Sequence, residues 1–598
     1  MREWNTGNND GGHTPPHGQP GAMPAHERDR MVQPDAAEAH NSQEGEGAKA
    51  TEGNRQRSRE QSSQPVWAVD ASWPGALQDG QQQDSVNQNQ SAGQHQGGSP
   101  KRGGAQDDRH EKRQPVPHKL DDFRQLLEKS VGLGDSFDVV AREMTFGKRR
   151  TSLFFINGFV KDVVLTEVLK RLTYLTPEQV SSDALHAFFE LYVPAVQVTA
   201  EHDFDKVVDA VLAGSTALFI EDEGTALIID AKQFPARSPD EPTLERVVRG
   251  SRDGFVETLM VNVTLVRRRL RDPGLRYEIM KIGRRTQTDV CIAYINDIAN
   301  PKLVESIKGK LENVELDGLP MADKQLEEAT VKRGWNPYPL VRYSERPDVV
   351  ASHLLEGNVA VFVDTTPSVM ILPTTFFDLV QHAEENRQTP FIGTFLRWVR
   401  FLGILASLFL LPLWFLYVLQ PELKPAALAF IGPSELGRLP LVLQFVLAEL
   451  GVDLMRMASV HTPTPLATAM SLIAAILIGD VAVKTGLFIN EVILYMAVAA
   501  IGMFATPSYE LGLANRIVRL LLIIAVAVLH VPGFMLVSTL AFIVLVMERS
   551  YNRPYMWPLI PFDARALWSI LLRVPVLHNR TRPNLLQPQQ LNKMPPKK

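Results

Sequence analysis

Six charged side chains lie inside or beside the long apolar runs between residues 401 and 547. They are Glu449, Asp453, Arg456, Asp480, Lys484 and Glu491. A charge in such a setting is costly, so it marks either a transport pathway or a buried pairing site. Rings of acidic side chains line the pores of cation channels. The four acids, Glu449, Asp453, Asp480 and Glu491, are therefore our candidate ion path.

The distance along the sequence to the nearest basic residue distinguishes the four acids. Asp453 and Asp480 each have a basic residue three or four positions later, on the same helix face, so each could be neutralised locally. Glu449 and Glu491 have no cation within one turn, which makes them the stronger candidates. The alternative is that local pairing, or snorkelling of charges near helix ends, accounts for all four acids.

The elements that must position these charges are membrane-spanning helices. Residues 401–419 contain no charge over about the 20 residues that a bilayer core requires. Trp398 and Trp414 lie near the two ends of this run, where aromatic rings prefer the headgroup zone. Arg397 and Arg400 precede it, which predicts that the helix starts on the cytoplasmic side.

Four further apolar segments follow, at residues 439–454, 466–483, 487–505 and 517–547. The last is too long for one untilted span and contains a His-Val-Pro-Gly break at residues 530–533, so we expect two short crossings or a re-entrant hairpin. We expect six crossings in an all-α, multi-pass transmembrane domain over residues 391–548, with four as the alternative. Residues 549–598 are basic, which predicts a cytosolic tail and both termini on the cytoplasmic side.

Residues 118–390 have the pattern of a mixed α/β domain on the cytosolic side. Runs at 152–156, 216–220 and 225–229 predict strands, the last two joined as a hairpin, and 290–295, 359–363 and 368–372 predict a further set. Residues 205–212 and 300–307 fit helical periodicity, the latter with Asn300 as N-cap and Pro301 in the first turn. Clustered prolines predict a break between two sub-domains near residues 232–255.

Residues 1–117 are polar and rich in Gln, Gly and Ser, which predicts a disordered tail. The net charge of -5 does not favour nucleic acid as a partner. The first ten residues lack the apolar core of a secretory signal, so we expect the soluble part to stay inside the cell.

The usual signatures of catalysis are missing from the sequence. Gly147-Lys148 lacks the earlier glycine of a phosphate-binding loop, and no HExxH motif is present. With one cysteine, Cys291, the chain has no cysteine-based zinc cluster. We therefore expect no enzyme, no cofactor and no metal site. A membrane-anchored enzyme or transporter would need motifs that the sequence lacks.

Two basic clusters occur in the soluble region, at residues 267–269 and 283–286. They could meet acidic lipid headgroups or the carboxylates of a partner. Solvated faces of a helix and a turn are the simpler interpretation.

An ordered series of motifs resembles one known family. The motifs are Arg-Asp-Gly-Phe-Val-Glu at 252–257, the arginines at 267–269, Gly-Arg-Arg-Thr at 283–286, Glu-Arg-Pro-Asp at 345–348, Leu-Leu-Glu-Gly-Asn-Val-Ala at 354–360 and Asp-Thr-Thr-Pro at 364–367. Together they resemble the A subunits of spore germinant receptors, the GerA family, over about residues 120 to 580. Residues 374–386, 461–470 and 505–512 look like one branch of it.

The resemblance implies a protein of the spore inner membrane with a two-part soluble domain on the core side. The resemblance also implies a homo-oligomeric ion channel that acts in germination. The branch belongs to the sporulation genes, which implies a subunit that promotes or amplifies ion release, working with a small membrane partner and germinant receptors. The alternative is a non-conducting scaffold that organises those receptors. The first 115 or so residues depart from the family pattern, so the resemblance implies nothing about them.

Overall fold

The computed structural model describes residues 114–593 apart from 194–196, 235–241, 243–244, 332–335, 429–431, 436 and 462–463. The tail predicted over residues 1–117 lies outside the described residues except for its last four. Of these, Val116 is buried, and its N–H donates to the carbonyl of His202 at 2.8 Å. These last residues of the predicted tail therefore pack on the first sheet.

The first sub-domain is a five-stranded antiparallel sheet with helices on both faces. Its strands run in the order β1-β2-β4-β5-β3. The predicted hairpin is confirmed, with Asp222 and Gly224 at positive φ in its turn. The elements are α1 (Leu120–Val131), β1 (Val139–Phe146), β2 (Arg149–Ile156), α2 (Asp162–Leu172), α3 (Pro177–Ser182), α4 (Ala184–His186), β3 (Val198–Glu201), α5 (Phe204–Leu212), β4 (Thr216–Ile220) and β5 (Ala226–Ile229).

The second sub-domain is another five-stranded sheet, ordered β6-β7-β9-β10-β8 and antiparallel throughout. The prediction for residues 300–307 is confirmed, because Asn300 accepts from the Lys302 N–H at 3.0 Å and Pro301 opens the helix. The elements are α6 (Leu259–Arg269), β6 (Leu275–Ile282), β7 (Thr288–Ile295), α7 (Pro301–Glu312), α8 (Ala322–Thr330), β8 (Arg342–Ser344), α9 (Pro347–Glu356), β9 (Val359–Val363), β10 (Val369–Leu372), α10 (Phe376–Val380) and α11 (Ala383–Arg387).

A buried ion pair joins the two sub-domains. Arg267 of α6 is 1% exposed, and its Nε lies 2.8 Å from the Oδ2 of Asp138, which precedes β1. Arg269 of the same helix pairs with Asp253 at 2.5 Å. The arginines at 267 and 269 therefore serve internal pairing, and neither a solvated helix face nor a lipid-binding cluster describes Arg267.

A helical region follows. Among its described residues, two helices are long and apolar enough to cross a membrane, α12 (Pro390–Leu419) and α17 (Tyr509–Met547). A Cβ atom at Gly502 of α16 (Asn490–Phe504) would overlap the carbonyl oxygen of Gly403 in α12, so the backbones of these two helices are in direct contact. The helices are α12 (Pro390–Leu419), α13 (Leu441–His461), α14 (Thr464–Ala475), a π-helical segment (Ile476–Val481), α15 (Ala482–Lys484), α16 (Asn490–Phe504) and α17 (Tyr509–Met547).

Helix α17 folds back on itself at His530, whose φ is 56°. A Cβ atom at Gly533 would overlap the carbonyl oxygen of Ala525, although eight residues of straight helix would separate the two by about 12 Å. Glu510 and Ser550, near the two ends of α17, both bond to the second sub-domain. The break predicted at residues 530–533 is therefore the turn of a helical hairpin.

The helices of this region run alternately toward and away from the second sub-domain. The ring of Trp414 contacts those of Phe445, edge to face, and Tyr495 at the remote end. Arg456 lies 5.4 Å from the ring of Tyr509 at the near end. With the two arms of α17 counted separately, six segments alternate in direction.

The C-terminal segment returns to the second sub-domain. It contains β11 (Arg549–Ser550), β12 (Arg553–Pro554) and α18 (Ala564–Leu571). The Gln589 side chain donates to the carbonyl of Ala299 at 2.7 Å, and Arg582, which is 8% exposed, donates to the carbonyl of Leu355 at 2.7 Å. The residues before α12 and after α17 therefore lie at the same end of the helical region.

Candidate functional site

Glu449 lies in the middle of α13 and is 3% exposed. Its Oε2 accepts a hydrogen bond from Arg516 Nε at 2.7 Å, and its Oε1 accepts from Arg519 Nε at 2.7 Å. Both arginines belong to the first arm of α17. The acid that has no cation within a turn of its own helix thus has two from a neighbouring helix.

Asp453 joins the same group, because it forms an ion pair with Arg516. Arg519, which is 1% exposed, also donates to the carbonyl of Ser407 in α12 at 2.6 Å. We call Glu449, Asp453, Arg516 and Arg519 the α13–α17 cluster. Its two acids balance its two bases, and it ties α12, α13 and α17 together.

One sequence signal for this cluster was available. Arg516 and Arg519 are three residues apart, and Glu449 and Asp453 are four apart, so each pair lies on one face of its helix. Complementary charged faces on two apolar helices favour pairing between them.

Asp480 and Lys484 form the pair that their spacing predicts, at 2.7 Å. The side chains are 60% and 71% exposed, respectively. They lie at the end of the π-helical segment and in α15, close to the turn at Gly486, whose carbonyl accepts from the N–H of Arg438. This pair therefore lies at the end of the helical region that is remote from the second sub-domain.

Glu491 is the second residue of α16 and forms hydrogen bonds to the loop that follows α12. Its Oε1 accepts from the N–H of Ser434 at 2.8 Å and from the Ser434 hydroxyl at 2.7 Å. Its Oε2 is buried and has no hydrogen-bond partner among the described residues. The four candidate acids thus occupy three separate places, and only Glu449 and Asp453 come together.

A polar joint connects the second sub-domain to the start of α17. Lys324 Nζ in α8 lies 2.8 Å from a carboxylate oxygen of Glu327 and 2.7 Å from one of Glu510. The Tyr343 hydroxyl donates to Glu327 at 2.8 Å. Burial lowers the pKa of Lys324, but the bonds to its two acids outweigh burial, so that the pKa is raised. We call Lys324, Glu327 and Glu510 the α8–α17 joint.

A cavity of about 250 Å³ lies beside this joint. Glu245 and Arg342 line it from the second sub-domain and Tyr509 lines it from the helical region. Burial raises the pKa of Glu245. Among the described residues, no group of three or more His, Cys, Asp or Glu side chains is arranged to hold a metal ion.

Comparisons with known proteins agree with the resemblance. A family model described as Bacillus/Clostridium GerA spore germination protein matches residues 125–585. The chain is 48% identical to Stage V sporulation protein AF of Bacillus subtilis (strain 168) over 465 residues, which cover 78% of this chain and 94% of that protein. It is 30% identical to Spore germination protein KA of the same organism over 479 residues, covering 79% and 88%.

One solved structure is also similar. The N-terminal domain of the A subunit of the Bacillus megaterium spore germinant receptor GerK3 aligns with 44% of this chain and 98% of its own length, at 27% identity and a TM-score of 0.35. The family model spans both sub-domains and the helical region, and the 48% relative is covered almost completely. This chain therefore belongs to the GerA family of spore germination proteins.

Proposed function

We propose that the protein is a subunit of a cation channel of the spore inner membrane, built from several copies of this chain, which promotes ion release during germination. Family membership supports a role in germination, and the two long apolar helices suggest a membrane location. In this proposal the chain crosses the membrane six times, with both ends on the core side. A small membrane protein and germinant receptor subunits are its expected partners.

The main structural support for this proposal is the exposed surface of the segment formed by residues 464–484. Its exposed apolar side chains leave a broad face without cover in one chain: Leu466 59%, Leu472 65%, Ile473 56%, Ile476 51% and Leu477 54%. The exposed ion pair of Asp480 and Lys484 lies at the end of this face. Charges in contact with lipid are costly, so we place this pair at a water-filled mouth where copies of the chain meet.

The surroundings of the two acids favour Asp480 over Glu449 as the side chain that a permeating cation contacts. Both acids are paired, but Glu449 is 3% exposed and accepts from two guanidinium groups at 2.7 Å, so a cation in water does not reach it. Asp480 is 60% exposed, and its repetition in several copies would give the ring of acids that cation channels use. Glu449 and Asp453 then keep the helices in register.

Recording currents from the purified full-length protein in planar bilayers tests the proposal. We expect cation-selective currents under germination triggers, and a mass above that of one chain by light scattering with the detergent subtracted. An assembled protein that inserts but never conducts under those triggers would contradict the channel and favour the non-conducting scaffold.

A further inference from the structure

Helix α12 is longer than a bilayer core requires. It has 30 residues, about 45 Å of helix, whereas about 20 residues span the apolar core. Its first turns carry Arg397 and Arg400, both paired with Glu385 of α11. The uncharged run starts only at Phe401, so the turns before it lie at the level of the headgroups if α12 crosses a membrane.

A row of apolar side chains stands exposed on one side of these turns. Phe391 is 84% exposed, Phe395 61% and Trp398 53%. The row continues without a break through Leu402 and Leu405, which are 69% and 54% exposed. The spacing of four, three, four and three residues places all five on one helix face. Exposed aromatic rings thus run directly into the stretch that would enter the membrane.

The short helix α18 packs beside this row. Arg397 donates to the carbonyl of Ser569 at 3.0 Å, and the N–H of Arg573 donates to the Thr394 hydroxyl at 3.0 Å. At 3.6 residues per turn, Thr394 lies about 60° and Arg397 about 120° around α12 from the centre of the exposed row. Ile570 of α18 is buried, whereas Trp568 is 63% exposed.

The residues that flank α18 extend the exposed apolar surface. Phe562 before the helix is 70% exposed, and Val576 and Leu577 after it are 71% and 70% exposed. An exposed Phe, Trp, Val and Leu within 16 residues is more apolar surface than a solvated tail carries. The helix that they flank, α18, contacts the first turns of α12.

Arginines also lie in α18 and in the residues that flank it. Residues 559–580 contain Arg565, Arg573 and Arg580 and a single acid, Asp563. Asp563 is used as the N-cap of α18, where it accepts from the N–H groups of Arg565 and Ala566 at 3.1 Å. Arg565 and Arg580 are exposed. Aromatic rings beside arginines are the composition of helices that lie in the plane of a membrane surface.

We propose that residues 559–580 and the first turns of α12 together form a membrane-surface anchor, in which the exposed aromatic rings enter the headgroup–acyl boundary and the arginines bind anionic lipid phosphates. The occupant of this face is lipid, because the apolar row is continuous with the spanning part of α12 and the charge complements anionic headgroups. The anchor rests on the membrane location proposed above, and it does not depend on ion conduction.

Spin labelling of the full-length protein in vesicles tests the anchor. The single cysteine, Cys291, is buried, so Trp568→Cys provides one accessible site. In vesicles that contain phosphatidylglycerol, we expect the label at position 568 to have an oxygen-to-nickel accessibility ratio several-fold above that of Tyr174→Cys. Tyr174 is 66% exposed in the first sub-domain, which makes it the matched aqueous control.

The same experiment shows whether the arginines contribute to lipid binding, and whether the face is covered by lipid, by water or by a second copy of the chain. The double variant Arg565→Gln/Arg580→Gln should bring the label at position 568 closer to water in these vesicles, whereas Arg285→Gln, another exposed arginine, should not. A label at position 568 as accessible to nickel as that at 174 would overturn the anchor, and one shielded from both reagents would assign the face to a second copy. Leu405→Cys reports separately whether α12 enters the bilayer, and currents play no part in the result.

Discussion

The two acid–base groups of the helical region use the same residue types in different surroundings. In the α13–α17 cluster, Glu449 and Arg519 are 3% and 1% exposed and the bonds link separate helices. Asp480 and Lys484 pair within one helical turn and are more than half exposed. Burial of charges is tolerated only where pairing is complete, so the first group belongs to the architecture. The second group is the one that we propose ions reach.

The largest effect is expected in the buried cluster. Glu449→Gln removes the charge that balances two guanidinium groups and leaves Arg519 buried, which should cost about 3–5 kcal/mol of unfolding free energy. Thermal or denaturant unfolding of the purified protein in detergent measures this loss. Asp480→Asn is the matched control, because it also neutralises one acid. Equal unfolding free energies for the two variants would contradict the difference that we draw between the α13–α17 cluster and the Asp480–Lys484 pair.

An intermediate effect is expected at the α8–α17 joint, which is half-buried. A double-mutant cycle with Lys324→Met and Glu510→Gln should give a coupling energy of about 1–2 kcal/mol, above that of an exposed pair and below that of a fully buried one. The same cycle on Asp480 and Lys484 is the reference. A coupling at the joint no larger than that reference would mean that the joint does not link the second sub-domain to α17.

The α8–α17 joint should also make the stability of the protein depend on pH. The pKa of Lys324 is raised in the folded protein above its ordinary value of 10.5, so the charged lysine stabilises the fold fully below that value. This contribution should be lost as the pH rises through the folded pKa. Stability measured between pH 9 and pH 12, at about constant ionic strength, should fall less in Lys324→Met than in the parent. Parallel curves would exclude this contribution.

Much of the fold could be predicted because its signals are local. The β4–β5 hairpin and the capping of α7 by Asn300 follow from residues within a few positions of one another. The turn at His530 follows from a proline and a glycine in an apolar run. In these segments the spacing of apolar residues matches one kind of secondary structure, so the sequence pattern is enough to predict it.

The pairings that define the candidate site are not local. Arg516 and Arg519 meet Glu449 across 67 and 70 positions, and Arg267 meets Asp138 across 129. A charge pattern along one helix cannot tell which neighbouring helix will face it, so Glu449 looked unpaired from the sequence. The folding of the C-terminal segment onto the second sub-domain was missed for the same reason, since its basic composition alone resembles that of a solvated tail.

The smallest effect on stability and the largest on conduction are expected at the exposed pair. Asp480→Asn should change the unfolding free energy by less than about 0.5 kcal/mol, because exposed pairs at this spacing contribute no more than that. The protein should therefore fold and assemble normally, so a change in its currents would report on the ion path alone.

The ratio of cation to anion permeability in reconstituted channels is the direct test of the central claim that Asp480, rather than Glu449, faces the ions. We predict that Asp480→Asn lowers this ratio and that Lys484→Gln, the matched change of opposite sign, raises it. Channels that conduct with an unchanged ratio in both variants would place the pair outside the ion path and contradict the account.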